Sequence, residues 1–252
     1  MTVGVTVLLP TRSVGPMLDQ AVASVLVQRN VDLELLIVLD GPRRKSLPDW
    51  ASDDRVRVHE YEGPPGLASV LNEGLRLTTS PVLARMDGDD ICDPRRLVLQ
   101  LAHLMANPEV GVIGSAAVLI DELGSTIGRR PVPASDSDIR RQLVVRNAFI
   151  HPSVMMRTDV VKAARGYAAD AGTFQDYELW LRLALRTKMG NLDSELLRYR
   201  VHAAQHSRTA VLGRRQNRLI YRGRLALARS MGVEGRAQLA HGAWVARQLS
   251  RR

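Results

Sequence analysis

A single cysteine, Cys92, occurs in 252 residues, which excludes an internal disulfide and a thiolate metal cluster. Aromatic side chains are scarce as well, with three Trp, five Tyr and two Phe. Single-stranded nucleic-acid platforms depend on base stacking, so a chain with so few rings is a poor match to nucleic acid. No apolar run approaches the ~20 residues that span a bilayer. The opening segment MTVGVTVLLPTR has no basic n-region and meets Pro10 too early for a signal peptide, so a cytoplasmic protein is expected. What is present is an ordinary globular composition, 45% hydrophobic and 24% charged. The length suits one large α/β domain or two small ones.

Charge is distributed unevenly. Lys plus Arg number 35 against 26 Asp plus Glu, a formal +9. Residues 208–252 carry eleven Arg and one acid, Glu234, or 11 − 1 = +10, which leaves residues 1–207 at 24 − 25 = −1. The shift divides the chain into a near-neutral body, 1–207, and a basic tail, 208–252. Such a tail reads either as a solvated helix face or as a contact for an anionic surface.

The body alternates strand and helix signals. Apolar, β-branched runs at Val5–Leu9 and Leu33–Leu39 stop at Pro10 and at Asp40-Gly41-Pro42, as buried parallel strands do. Arg55–His59 alternates with period two, and Pro81–Met86 reads as a strand entering Asp87-Gly88-Asp89-Asp90. Helical periods cover Leu18–Val27, Leu67–Leu77 and the segment after Pro94, with apolar positions 97, 101, 104 and 105. This rhythm predicts an α/β fold with a mostly parallel, Rossmann-like sheet and flanking helices. Further on, Val110–Ile120 reads as a strand, Gly124–Ser137 as a loop, Asp138–Val145 as a short helix and Asp176–Leu185 as a helix. Two basic helices follow, near Leu212–Met231 and Arg236–Leu249.

Ligands of parallel sheets bind beyond the carboxyl ends of strands. Three polar clusters occupy such ends: Pro10-Thr11-Arg12, Asp40-Gly41 and Asp87-Gly88-Asp89-Asp90. Three carboxylates in four positions repel one another unless a cation is shared. Hard oxygen donors suit Mg²⁺ or Mn²⁺, which keeps positions open for substrate phosphates. The plain alternative is an acidic turn that caps the following helix. Asp176 and Trp180 lie one helical turn apart on a shared face, so an indole could stack on a substrate beside a carboxylate, or pack in the core.

Taken in order, VTVLLPTR, LELLIVLDG, GLASVLNEGL, ARMDGDD, NPEVGVIGS, HPSVMMR, QDYELWLRL and LLRYRVHAAQHS resemble the family 2 glycosyltransferases of glycosyltransferase-A fold. The resemblance covers about Val5 to Ser207. It implies a nucleotide-binding half, about 1–107, and an acceptor-binding half, about 108–207. It also implies inverting transfer of a sugar from a nucleoside-diphosphate sugar to a carbohydrate or lipid-linked hydroxyl acceptor, in surface polysaccharide or glycolipid synthesis. In that picture Pro10 and Thr11 line the base pocket, Asp40 bonds the base and Asn72 shapes the nucleotide site. Asp87 and Asp89 form the DxD pair, the first near the ribose and sugar, the second on the metal with His202. Asp176 is the base, and Trp180 and His151 stand near the acceptor. Three positions depart from the family: Leu39-Asp40 keeps one of the usual two acids, Leu71 replaces a frequent Arg, and Gln175 replaces a Glu.

Two other readings compete. A sugar-phosphate nucleotidyltransferase also uses a doubly wound sheet and acidic metal ligands, but usually opens with a Gly-rich phosphate loop, which LLPTRSVGP lacks. A non-catalytic nucleotide-sugar-binding or membrane-surface adaptor would have its basic tail as the working part. The tail predicts a peripheral contact with the inner face of the membrane, because apolar Leu212, Leu219, Ile220, Leu227 and Met231 fall opposite most of the arginines.

Overall fold

The structure, a computed structural model, describes residues 4–41, 46–202 and 213–249. Leu212 and the loop residues Gln205, His206 and Ser207 lie outside the described residues. In chain order the elements are β1 (Val5–Thr11), α1 (Pro16–Leu26), β2 (Leu33–Asp40), β3 (Val56–Tyr61), α2 (Leu67–Leu77), β4 (Val82–Arg85), β5 (Ile91–Cys92) and α3 (Arg96–Ala106). There follow β6 (Val110–Ile120), β7 (Thr126–Arg130), α4 (Asp136–Leu143), β8 (Met155–Arg157), α5 (Thr158–Ala163), α6 (Gln175–Leu183), β9 (Lys188–Arg200), α7 (Arg214–Ser230) and α8 (Glu234–Leu249).

One sheet runs β3-β2-β1-β4-β8-β6-β9-β5, with β7 beside β6. The segment β3-β2-β1-β4 is parallel, as is the long β6/β9 ladder. Short β8 is antiparallel to both β4 and β6 and joins the two halves.

Alternation along the strands sorts side chains to two cores. Val5, Val7 and Leu9 face the layer of α1 and α3, with Leu18, Val22, Leu97 and Leu104. Leu8, Leu36, Val38 and Leu83 face the layer of α2, α4 and α6. Helix α2 lies close on β1 because Gly74 has no side chain: a Cβ there would fall 2.2 Å from Leu8 Cδ1.

Two segments differ from the sequence reading. Gly124–Ser137, expected as a loop, contains β7; four of that strand's five residues are exposed, so no buried face marked it as a strand. The strand β9 is thirteen residues long; in the sequence only its apolar end, Leu196–Arg200, reads as a strand.

The C-terminal helices join the second core. Ile220, Leu227, Ala237 and Trp244 belong to the same cluster as Leu179, Leu181 and Leu183 of α6. Gly223 admits the close approach, since a Cβ there would meet Leu181 at 3.0 Å. Fully buried Arg224 donates from Nε to the Tyr177 hydroxyl at 2.7 Å and from Nη2 to the Val145 carbonyl at 2.7 Å. Its guanidinium also lies 4.6 Å from the Trp244 ring centroid, a cation–π contact.

Candidate active site

The strand ends bring the three polar clusters to one edge of the sheet. Thr11 pairs in register with Leu39, next to Asp40. Gly88 packs against the end of β1, where a Cβ would lie 3.4 Å from both Thr11 Oγ1 and Leu18 Cδ1. Pro10 is buried and Thr11 partly so. Asp40 accepts from Arg12 Nε at 2.7 Å, and Gly41 turns the chain away from it with φ +100°, a value glycine adopts without strain.

At the end of β4, Asp87, Asp89 and Asp90 each offer an oxygen, and these atoms lie within 4.8 Å of one another. Each carboxylate has a separate support. Asp87 is ion-paired with Arg85, whose side chain is 2% exposed. Asp89 Oδ2 lies 2.8 Å from His202 Nε2, so His202 reaches the cluster through Asp89. Asp90 is buried and accepts the Arg200 backbone N–H on Oδ1 at 2.8 Å, while its Oδ2 has no hydrogen-bond partner. Burial, reinforced by Asp87 and Asp89, pushes the Asp90 carboxyl well above the usual carboxylate range.

Asp176 lies in the first turn of α6. Its Oδ2 accepts from Asn147 Nδ2 at 2.7 Å and its Oδ1 from the Tyr177 backbone N–H at 2.7 Å. Burial raises its pKa, and the two hydrogen bonds, with Arg85 and Arg130, act against that rise. His151 lies 3.0 Å from the Tyr167 hydroxyl, and burial, with Arg85 nearby, holds the imidazole neutral, well below its usual pKa. Arg85 pairs directly with Asp87, and its charge also reaches Asp90, Asp176, His151 and Tyr167. One buried cation therefore links the acidic loop electrostatically to Asp176 and His151.

Trp180 and Asn72 have well-defined protein partners. Trp180 is fully buried, with its ring 5.2 Å from Phe149 and 5.9 Å from His151. It is a core residue below the site, because the inner face of α6 is the one that carries it. Asn72 forms a reciprocal pair with Tyr167, donating to its carbonyl and accepting from its N–H, both at 2.8 Å. It holds the Gly166–Tyr167 backbone and through it the Tyr167–His151 contact. Leu71 is wholly buried in the core.

Sequence reading missed Arg85, Asn147 and Arg200. The signal for Arg85 was visible: a cation inside the apolar strand PVLARM must have a partner. Asn147, in irregular chain between α4 and β8, carried no comparable mark.

The model of Glycosyl transferase family 2 matches residues 6–163. The chain belongs to that family. It is 36% identical over 189 residues to the amylovoran biosynthesis glycosyltransferase AmsE of Erwinia amylovora, covering 73% of this chain and 70% of AmsE. Among solved structures, S. aureus TarS 1-349 superposes with a TM-score of 0.71 at 15% identity, over 96% of this chain and 72% of that one; TarS is also known in complex with UDP-GlcNAc. The mannosyltransferase PcManGT of Pyrobaculum calidifontis, solved with GDP-Man and Mn²⁺, gives 0.59 at 16% identity, over 96% of this chain and 75% of that one. This family 2 glycosyltransferase has the glycosyltransferase-A fold.

Proposed function

We propose that the enzyme transfers a glycosyl group, with inversion, from a nucleoside-diphosphate sugar to a hydroxyl acceptor, and that it uses a divalent cation. The observation that carries the reading is the trio Asp87, Asp89 and Asp90 gathered at the end of β4, where the buried Arg85 that pairs with Asp87 also opposes, by its charge, the burial-driven rise of the Asp176 pKa. The donor set fits Mg²⁺ or Mn²⁺: all three ligand atoms are hard oxygens, and the buried Asp90 Oδ2 lacks a partner. Asp89 would hold the ion, with His202 orienting its carboxylate. When bound, such an ion neutralises charge on the leaving diphosphate.

The chain's own residues do the rest. Pro10 and Thr11 form one wall of the nucleotide site and Asp40 accepts from the base. Asp87, held by Arg85, is placed for the ribose and sugar hydroxyls. Asp176 takes the acceptor proton as the hydroxyl oxygen attacks the anomeric carbon and the nucleoside diphosphate departs. A raised pKa suits that role, because a general base works best with a pKa near the operating pH. His151, neutral and bonded to Tyr167, is placed to orient the acceptor.

AmsE acts in amylovoran biosynthesis, which supports a carbohydrate or lipid-linked acceptor and a role in surface polysaccharide or glycolipid synthesis. No helix among the described residues is long and apolar enough to cross a membrane. The proposed place of action is the inner face of the membrane, through a peripheral contact. Helix α7 turns its buried stripe to the core and leaves Arg214, Arg218, Arg222 and Arg229 exposed along one face. Each such arginine near an anionic leaflet contributes about 1 kcal/mol, enough together for a loose, salt-sensitive contact.

A thermal-shift panel of UDP-, dTDP- and GDP-sugars with Mn²⁺ or EDTA tests the donor and metal together, since ligand binding raises the melting temperature by mass action. One nucleotide sugar is expected to stabilise the wild type only with metal, and to do so weakly in Asp89→Asn. Equal shifts in EDTA would contradict the metal-dependent site.

A further inference from the structure

The Arg200 side chain, at the end of β9, is 1% exposed and directs its donors to three other segments. Nε donates to the Asp89 carbonyl at 2.8 Å, Nη1 to the carbonyls of Asp121 and Glu122 at 3.1 and 2.9 Å, and Nη2 to Gln20 Oε1 at 2.8 Å. Its own backbone N–H holds Asp90 Oδ1 at 2.8 Å. Two residues further on, His202 meets the Asp89 carboxylate at 2.8 Å. A single strand end thus grips Asp89 twice, by main chain and by side chain, and Asp90 once.

A guanidinium suits this task because its planar fork presents five fixed donors, whereas a lysine ammonium is one compact charge that cannot span such separated acceptors. Arg157 provides an internal comparison. It also donates to backbone carbonyls, those of Val110 at 3.0 Å and Leu104 at 2.5 Å, but none of them belongs to the acidic loop. Arg157 ties helix to strand; Arg200 ties the loop itself to α1 and to the turn between β6 and β7.

We propose that the Arg200 side chain is a positioning group for the acidic loop, fixing the Asp89 backbone so that the Asp89 carboxylate meets a divalent cation and a nucleoside diphosphate in one geometry. The proposal rests on the metal–diphosphate reading of that loop. Sites of this kind tolerate about half an ångström of misplacement before they lose function. The contact with Gln20 extends the effect to α1, a helix that supplies no proposed ligand to the cation.

The test is calorimetric binding of UDP, dTDP and GDP, each with excess Mn²⁺ and again in EDTA. The proteins are wild type, Asp89→Asn, Arg200→Lys, Gln20→Ala and Arg157→Lys. Arg200→Lys is expected to weaken Mn²⁺-dependent nucleotide binding about tenfold or more, the effect of losing charge-assisted hydrogen bonds. Gln20→Ala should weaken it about two- to fivefold. Arg157→Lys should lower the melting temperature and leave nucleotide affinity unchanged. Wild-type affinity in folded Arg200→Lys, or an equal loss in Arg157→Lys, would overturn the assignment. If Arg200→Lys does not fold, unchanged affinity in Gln20→Ala overturns it. If wild type and Asp89→Asn bind equally with and without Mn²⁺, the metal reading falls and the role of Arg200 falls with it.

Discussion

Asn147 donates its side-chain amide to Asp176 Oδ2 at 2.7 Å, a hydrogen bond that favours the ionised carboxylate. Burial pushes the Asp176 pKa up, while Asn147, the Tyr177 N–H, Arg85 and Arg130 oppose the rise; the phenols of Tyr167 and Tyr177 also face it. Asn147→Ala removes one opposing contact, so the carboxyl pKa rises further and less base is ionised at a given pH. The acid limb of the kcat profile should move to higher pH, with about a tenfold loss below it and recovery above it. An unmoved limb with uniformly lower kcat would make Asn147 a purely structural residue.

Buried and exposed arginines of α7 should behave in opposite ways. Arg224→Met leaves the Tyr177 hydroxyl and the Val145 carbonyl without their donor and should cost about 2–4 kcal/mol in denaturant unfolding. Arg222→Met, at an exposed position, should stay within about 0.5 kcal/mol. On anionic vesicles the exposed set decides: replacing Arg214, Arg218, Arg222 and Arg229 together should abolish low-salt sedimentation. Sedimentation that survives this change would leave α7 a packing element alone.

The contact between α7 and α8 is pH-sensitive with a definite sign. His241 Nε2 lies 2.7 Å from Asn217 Oδ1, and Nδ1 lies 3.3 Å from Arg224 Nη1. The neutral imidazole satisfies both, donating to Asn217 and accepting from Arg224. Burial first, and the Arg224 charge second, depress its pKa from 6.5 to about 4. The unfolded chain therefore binds the proton more readily, and this contribution to stability is complete above the unfolded value and lost as pH falls from 6.5 towards 4. Thermal melts over that range should show a decline in the wild type that is reduced in His241→Gln. Parallel declines in both proteins would assign the acid loss to other groups.

Trp180 tests core against acceptor. Trp180→Ala should destabilise by about 3–5 kcal/mol, and Trp180→Phe should leave the acceptor KM unchanged. A raised acceptor KM in Trp180→Phe at wild-type melting temperature would restore the indole to the acceptor wall.

The parallel half of the sheet, β1 to β4, was legible because buried parallel strands are short apolar runs ended by turn residues, and in this chain each run delivers its polar cluster to the same edge. Strand β7 was not, since an exposed edge strand has no buried face to impose an alternation. The acids of the site announce themselves in sequence, as Asp87-Gly88-Asp89-Asp90 does. Two of the groups that hold them do not: Arg200 and Asn147 act across 111 and 29 residues of sequence, distances at which local pattern carries no information. Trp180 shows the limit of helical spacing, which puts it near the Asp176 face while the packing of α6 takes the indole inward.

Asp176 is proposed to remove the acceptor proton in a metal-assisted transfer. The most direct measurement is single-turnover transfer from the nucleotide sugar selected by thermal shift, with Mn²⁺ and acceptor, in wild type and Asp176→Asn, alongside the nucleotide-sugar Kd of each. Asp176→Asn should slow the chemical step about 10²–10⁴-fold with little change in Kd. Wild-type turnover in Asp176→Asn, or a loss confined to Kd, would contradict it.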